Sequence, residues 1–274
     1  MTGVFDAASA TAALLAERTG CERHDVVAVL GSGLGTYPAT LEGALGVPYE
    51  ELPGFPIPGA VGHAGTAYSV QMGVNRVLLL AGRAHAYEGH SIDVVTFPVR
   101  VAVLAGVRTV VLTNAAGGCG DGIEPGDLVV ITDHINMAGI SPLKGDNDER
   151  LGPRFPDMTD VYTPELRAKA HDAAAAVGQE LREAVYFWWQ GPMYETPAEV
   201  RMAKLLGAGL VGMSTVPEAT AARHMGADVL GLSLCTNRAA GMSAAPLSSD
   251  EVMEAAAAAA DRFRMLFDRL LPDL

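Results

Sequence analysis

A chain of 274 residues, 49% of them hydrophobic, can bury a large core and fits one extensive domain spanning residues 1–274. Its 19 Lys and Arg stand against 32 Asp and Glu, a formal charge of -13. That balance argues against nucleic acid and anionic membranes as partners, and any anion must be held by local donors, not by a general field. The scattered cysteines Cys21, Cys119 and Cys235 form no metal-like pair and suit a reducing cytoplasm; Met1–Asp6 lacks a basic region followed by an apolar core, and no apolar run is long enough to span a bilayer.

In chain order, Ala7–Glu17 has apolar residues at helical spacing. Val26–Leu30 is a short buried strand that ends in Gly31-Ser32-Gly33-Leu34-Gly35-Thr36. Glycines after a strand let backbone N–H groups turn toward an anion, with Ser32 pointing inward. The dinucleotide fingerprint needs another glycine where Thr36 stands, so the loop fits that pattern poorly. Leu52–Gly65 carries Pro53, Pro56 and Pro58 and reads as a surface loop, ending with His63 among glycines.

Val77–Ala81 is an apolar strand running into Gly82-Arg83-Ala84-His85-Ala86-Tyr87-Glu88-Gly89-His90. In an extended segment Arg83, His85 and Tyr87 share a face, and an arginine beside an imidazole makes an oxyanion clamp. A metal at His85 and His90 is disfavoured, because no third ligand is near and Arg83 repels a cation. Ile92–Ala105 reads as a helix containing Pro98, and Thr109–Leu112 as a strand. Thr113-Asn114-Ala115-Ala116-Gly117-Gly118 then reads as a small-residue loop that lets a ligand approach the backbone.

Leu128–Ile131 is a further strand, and the segment from Gly139 to Asp160 is long and irregular, as functional or interface loops are. A helix over Pro164–Val177 and a strand over Ala184–Trp189 lead to Gly191-Pro192-Met193-Tyr194-Glu195-Thr196-Pro197. The prolines place Tyr194 and Glu195 on a loop before a helix at Ala198–Leu206. A second strand–loop–helix passage covers Gly209 to Glu218, with Met213-Ser214-Thr215 at its turn. The strand Val229–Cys235 leads into Thr236-Asn237. The last helix starts at Ser248, where Ser248 and Glu251 form a capping box, and runs to about Leu271. Strands alternate with helices throughout, which predicts an α/β fold with a central mixed, largely parallel sheet flanked by helices. Ligands bind at the strand ends of such sheets.

Those strand ends carry groups suited to a purine held at a sugar. Glu195 can accept from a ring N–H, Asn237 can donate and accept at once, and Tyr194 can lie against a flat ring. The blocks Gly191-Pro192-x-Tyr194-Glu195-Thr196, Gly212-Met-Ser-Thr-Val-Pro-Glu218 and Ser233-Leu-x-Thr-Asn237 resemble the trimeric-type purine nucleoside phosphorylases. So do Gly82-Arg-x-His-x-Tyr-Glu-Gly89 and Thr113-Asn-Ala-Ala-Gly117. The likeness runs from Gly31 to the last helix.

It implies phosphorolysis of 6-oxopurine nucleosides such as inosine and guanosine to base and (deoxy)ribose 1-phosphate. No cofactor or metal is implied, inorganic phosphate being a co-substrate. Ser32, His63, Arg83, His85, Ser214 and the backbone at Ala115 are implied to bind phosphate. Tyr194, Glu195, Asn237 and Ala115 are implied at the base, and Tyr87, Met213 and a neighbouring subunit's Phe155 at the ribose, in a cytoplasmic homotrimer. Asn237, Glu195 and His85 carry the implied chemistry. In one departure, Ser249 stands where the family usually has a histidine at the 5′-hydroxyl. The bulky Trp188-Trp189 run before Gly191 has no evident functional reading. The nearest alternative is an S-methyl-5′-thioadenosine phosphorylase, a group that tends to carry aspartate where Asn237 stands. A hydrolytic nucleosidase would need an activated water, and Arg83 and His85 point instead to an anionic nucleophile.

Overall fold

The structure, a computed structural model, describes residues 3–31, 33–59, 65–243 and 248–274, leaving out the side chains of 249–251. Its elements are α1 (Val4–Thr19), β1 (Val26–Leu30), β2 (Leu45–Pro48), β3 (Thr66–Met72), β4 (Asn75–Ala81), α2 (Ile92–Leu104), β5 (Thr109–Gly118), β6 (Leu128–Asn136), α3 (Pro164–Ala176), β7 (Arg182–Trp188), α4 (Pro197–Leu205), β8 (Ala208–Gly212), α5 (Val216–His224), β9 (Asp228–Arg238) and α6 (Ser249–Leu270).

The strands form one sheet in the order β2-β3-β4-β1-β5-β8-β7-β6-β9, and β9 also pairs with β5, so the second part of the sheet closes on itself. Parallel pairs join β1 to β4, β1 to β5, β5 to β9, β6 to β7 and β7 to β8. The remaining pairs are antiparallel. The fold is therefore the expected α/β type with a mixed sheet.

Every residue of β1 is buried, because both sheet faces are covered. Alternation then sorts its side chains. Val27 and Val29 pack with α1, α2 and α5 through Leu15, Phe97 and Ala222. Val26, Ala28 and Leu30 pack on the opposite face with Leu166 of α3 and Phe263, Leu266 and Phe267 of α6. Each such fully buried aliphatic or aromatic side chain contributes about 1.5–3 kcal/mol. In α6 the buried Ala256, Ala259, Phe263, Leu266 and Leu270 recur at helical spacing. Trp188, 1% exposed, belongs to the core. Its carbonyl accepts from Met137 and Ala138, and the Trp189 N–H donates to the Gly212 carbonyl at 2.9 Å. The tryptophan run thus has a structural role, fixing the strand ends.

Several expectations are corrected. Thr113–Gly118 is not a loop: β5 continues through it, because its backbone pairs with β9 as far as Arg238. Likewise β6 continues through Asp133–Asn136, paired with β7. The hairpin β3–β4 and the edge strand β2 went unread, since β3 mixes Tyr68, Ser69 and Gln71 with its apolar residues. The helix α2, by contrast, runs through Pro98 as expected. The expected partner of Ser248 in a capping box, the Glu251 side chain, lies outside the described residues.

Before β1, at the sheet edge away from the strand C-termini, His24 is fully buried. Its Nε2 lies 2.7 Å from Ser69 Oγ, which also accepts from Arg76 Nε at 2.9 Å. Burial, then the Arg76 charge, push the imidazole down to about 4, against a smaller opposing effect of Asp25. The unfolded ring titrates near 6.5, so the unfolded chain takes up the proton first as pH falls. This contribution is fully present above pH 6.5 and is lost as pH drops toward 4, by about 3 kcal/mol in total. Urea unfolding at pH 7 and pH 4.5 should therefore show a loss about 2–3 kcal/mol larger in the wild type than in His24→Gln. An equal loss in both proteins would exclude His24 as the group responsible.

Candidate active site

A cavity of about 160 Å³ opens at the strand ends, lined by Gly31, Arg83, His85, Tyr87, Asn114, Ala115, Ala116, Gly117, Tyr194, Glu195, Val211, Gly212, Met213, Ser214, Thr236, Asn237 and Val252. Nine of the residues singled out in the sequence meet here: Arg83, His85, Tyr87, Ala115, Tyr194, Glu195, Met213, Ser214 and Asn237. Ser32 and His63 lie outside the described residues, as does the side chain of Ser249. Phe155 does not line the cavity; it stands 89% exposed.

One wall is cationic. Arg83, two residues past β4, is 5% exposed. Its Nε and Nη2 face the Glu218 carboxylate at 3.3 and 3.2 Å, and its Nη1 donates to the Thr113 carbonyl and, at 3.4 Å, to Ser214 Oγ. His85 Nδ1 lies 2.8 Å from Glu88 Oε1. A carboxylate only accepts, so Nδ1 carries the ring hydrogen and Nε2 is the acceptor of the neutral imidazole. Burial first, and Arg83 second, lower the pKa of His85. The Glu88 carboxylate also accepts from the Gly59 N–H at 2.7 Å, tying the cationic wall to the proline-rich loop.

Tyr87 reaches the cavity by a different route from the one alternation predicts. It sits in a short 3-10 turn, Ala86–Glu88, and its ring stacks on His85 with centroids 4.7 Å apart and planes 14° from parallel. Opposite it, Gly191 has φ 72°, and a Cβ there would collide with the Met213 sulfur. The glycine therefore lets Met213 and Tyr87 close around one space.

The cavity lining also holds a carboxylate and an amide. Glu195 is 9% exposed; burial raises its pKa, with a smaller contribution from Glu199, while its own backbone N–H opposes. Asn237 accepts from Thr236 Oγ1 at 2.9 Å and donates from Nδ2 to the Arg238 carbonyl at 3.1 Å. Since a carbonyl cannot donate, this fixes the amide orientation and leaves one N–H and one lone pair for a ligand.

Thr236 and Asn237 are consecutive on a strand, yet both line the cavity. The β5–β9 register explains it: Ala116 pairs with Cys235 but Gly117 with Asn237, so Thr236 is the extra residue of a bulge, which re-aims side chains. Sequence reasoning missed Thr236 and also Val252. Among the described residues no group of three or more His, Cys, Asp or Glu side chains is placed to hold a metal ion, and no helix is long and apolar enough to cross a membrane.

Residues 25–272 match the family model of the phosphorylase superfamily. The chain is 50% identical over 256 residues to the purine nucleoside phosphorylase of Mycobacterium leprae (strain TN), covering 93% of this chain and 91% of the relative. Among solved structures, Schistosoma mansoni purine nucleoside phosphorylase in complex with inosine superposes with a TM-score of 0.92 at 32% identity, covering 98% of this chain and 96% of that one. A Schistosoma mansoni purine nucleoside phosphorylase in complex with adenosine gives 0.90 at 34%, covering 97% of this chain and 96% of that one.

The close packing behind the cavity makes one position sensitive. A Cβ on Gly212 would overlap the Tyr186 hydroxyl, which is fully buried and accepts from the Ser214 N–H at 3.4 Å. Gly212→Ala should therefore displace the Ser214 turn and destabilise the protein by about 1–3 kcal/mol. Inorganic phosphate binding, read by calorimetry, should weaken with it; unaltered stability and phosphate affinity would refute this packing argument.

Proposed function

The chain belongs to the phosphorylase superfamily, with the purine nucleoside phosphorylases, and from that premise we propose that it catalyses reversible phosphorolysis of 6-oxopurine ribo- and deoxyribonucleosides. The observation that carries this reading is one cavity lined both by Arg83 with its hydrogen-bond partner Ser214, a first wall in this reading, and by Glu195 and Asn237, a second. An anion held at the first wall and a purine at the second leave the sugar between them, beside Tyr87 and Met213.

In this reading a phosphate oxygen attacks the anomeric carbon while the C–N9 bond breaks, and the purine departs with the bonding electron pair. Arg83, His85, Ser214 and the backbone at Ala115 hold the phosphate, with Ser32 and His63 as further phosphate residues. Fixing both reactants in one site can contribute about 7–11 kcal/mol toward the barrier when alignment is good. The second Asn237 N–H donates to N7 as negative charge grows on the base, and such donors contribute about 3 kcal/mol each. Glu195 accepts from N1–H, Tyr194 packs on the ring, and only bonds that strengthen in the transition state raise kcat.

Inosine and guanosine carry the N1–H that Glu195 requires, and adenosine does not. A carboxylate facing adenine N1 sets two acceptors against each other, at a cost of about 1–3 kcal/mol. An adenosine complex of a relative shows that binding in that enzyme tolerates adenosine, so the discriminating quantity is turnover. Base release from inosine should stop when phosphate is omitted, and kcat/KM should favour inosine over adenosine by about ten- to a hundredfold. Asn237→Asp should shift that ratio toward 6-aminopurines. Hydrolysis that continues without phosphate, or equal efficiency on both nucleosides, would overturn the assignment.

We further propose a cytoplasmic homotrimer in which Phe155 covers a neighbouring subunit's ribose. Its ring stands free of its own cavity, beside the Arg154 guanidinium at 5.8 Å. Phe155→Ala should raise the nucleoside KM while leaving the protein folded, and sedimentation of the wild type at assay concentration should give a trimer. A fully active monomer would remove this role.

A further inference from the structure

The turn that carries Ser214 is strained. The Val216 N–H donates to the Ser214 carbonyl at 2.8 Å, closing a three-residue turn on Thr215, whose φ is 71° and ψ -52°. Among the described residues Thr215 is the single non-glycine with positive φ. This is the rare form of γ-turn, and a β-branched side chain rarely adopts it. Such strain persists only where the surroundings over-determine it.

They do so here. The Thr215 N–H donates to Glu218 Oε2 at 3.2 Å, and Asn114 Nδ2 donates to Thr215 Oγ1 at 2.8 Å. The same Glu218 carboxylate faces Nε and Nη2 of Arg83 at 3.3 and 3.2 Å. Both side chains of that pair are 4% exposed. One buried carboxylate thus grips two distant segments, the residues after β4 and the residues after β8, and Arg83 Nη1 reaches Ser214 Oγ at 3.4 Å across the junction.

We propose that Glu218 is a positioning residue for the anionic co-substrate: it sets the guanidinium plane of Arg83 and the strained Ser214 turn against each other, so that both address one phosphate. The assignment rests on the phosphorolytic reading above. Glu218 does not touch the phosphate; it acts through Arg83 and Ser214. A purely structural ion pair would affect both substrates alike, whereas a positioning residue affects the anion selectively. Glu218→Gln keeps the size but replaces one acceptor oxygen by a donor, which then faces the donors of Arg83 or Thr215.

Steady-state kinetics with phosphate and inosine varied separately test this in the wild type, Glu218→Gln, Arg83→Gln and the double variant. Glu218→Gln should raise the phosphate KM about tenfold or more and move the inosine KM by no more than about twofold. In the Arg83→Gln background the same change should add clearly less, because the carboxylate has lost its main client. A parallel rise in both KM values, or penalties that simply multiply in the double variant, would overturn the proposal. If Glu218→Gln does not fold, Glu218→Asp, which keeps the charge but withdraws it, makes the same comparison. Wild type without phosphate-dependent turnover would defeat the phosphorolytic reading instead, and calorimetric titration of the four proteins with inorganic phosphate would still decide the role of Glu218.

Discussion

The site depends on the pairing of β5 with β9. These strands stay paired in parallel from Thr109 opposite Asp228 to Gly118 opposite Arg238, with one register shift after Ala116, well beyond the point where β1 leaves β5 at Leu112. Their projecting ends deliver Asn114 to Gly117 from one strand and Thr236 and Asn237 from the other. Hydrogen-bonded backbone is a more rigid support than a loop, so groups placed on it hold their geometry without a ligand. The bulge at Thr236 is what converts strand alternation into a wall, and the hydroxyl it re-aims then orients the Asn237 amide. A single local irregularity therefore connects sheet register to the polarity of the proposed base site.

A second constraint is electrostatic. With a formal charge of -13, the protein offers a dianion no long-range attraction. Attraction has to arise within the cavity, from donors already aimed. Arg83 is nearly neutralised by Glu218, and the lowered pKa of His85 keeps its imidazole neutral near pH 7. The cationic wall is thus a set of directed hydrogen bonds with little surplus charge. Such a wall binds through geometry and holds an anion less tightly than an uncompensated arginine does. Under the proposed phosphorolysis this is useful, because product release then requires the sugar phosphate to leave the same wall.

Much of this was legible in the sequence for identifiable reasons. The continuous apolar run Val26–Leu30 could only be a strand covered on both faces, and its predicted limits match β1. The prolines and glycines around Tyr194 and Glu195 marked a loop at a strand end, and both residues line the cavity. Thr113–Gly118 was misread because small residues look like a loop, and its strand character comes from β9, remote in sequence. Tyr87 reached the expected place through a 3-10 turn and ring stacking, neither of which follows from alternation. Glu218 closes one of the blocks that carry the resemblance but suggested no role of its own, since an acid three residues into a helix reads as a cap. It is one, accepting from Thr215 N–H, but its second use requires Arg83, 135 positions away.

The long segment between β6 and α3 shows how a loop can be ordered and yet leave its tip unburied. Arg154 donates to the Leu143 and Gly145 carbonyls at 3.1 and 2.8 Å. Arg150 bonds Asp148 and Asp6 and lies over the Phe5 ring at 4.2 Å, anchoring the segment to α1. Each exposed ion pair alone contributes little, but together they restrict the backbone leading up to Phe155. Restricting a chain in order to hold a phenylalanine in water gains nothing for the isolated subunit, because the ring buries no apolar area there. Pre-ordering does lower the entropic cost of docking that ring elsewhere. Met193, 81% exposed and next in sequence to the cavity-lining Tyr194, offers an apolar surface of the kind such a ring covers. A pre-ordered, exposed ring of this kind is what the proposed trimer requires of each subunit.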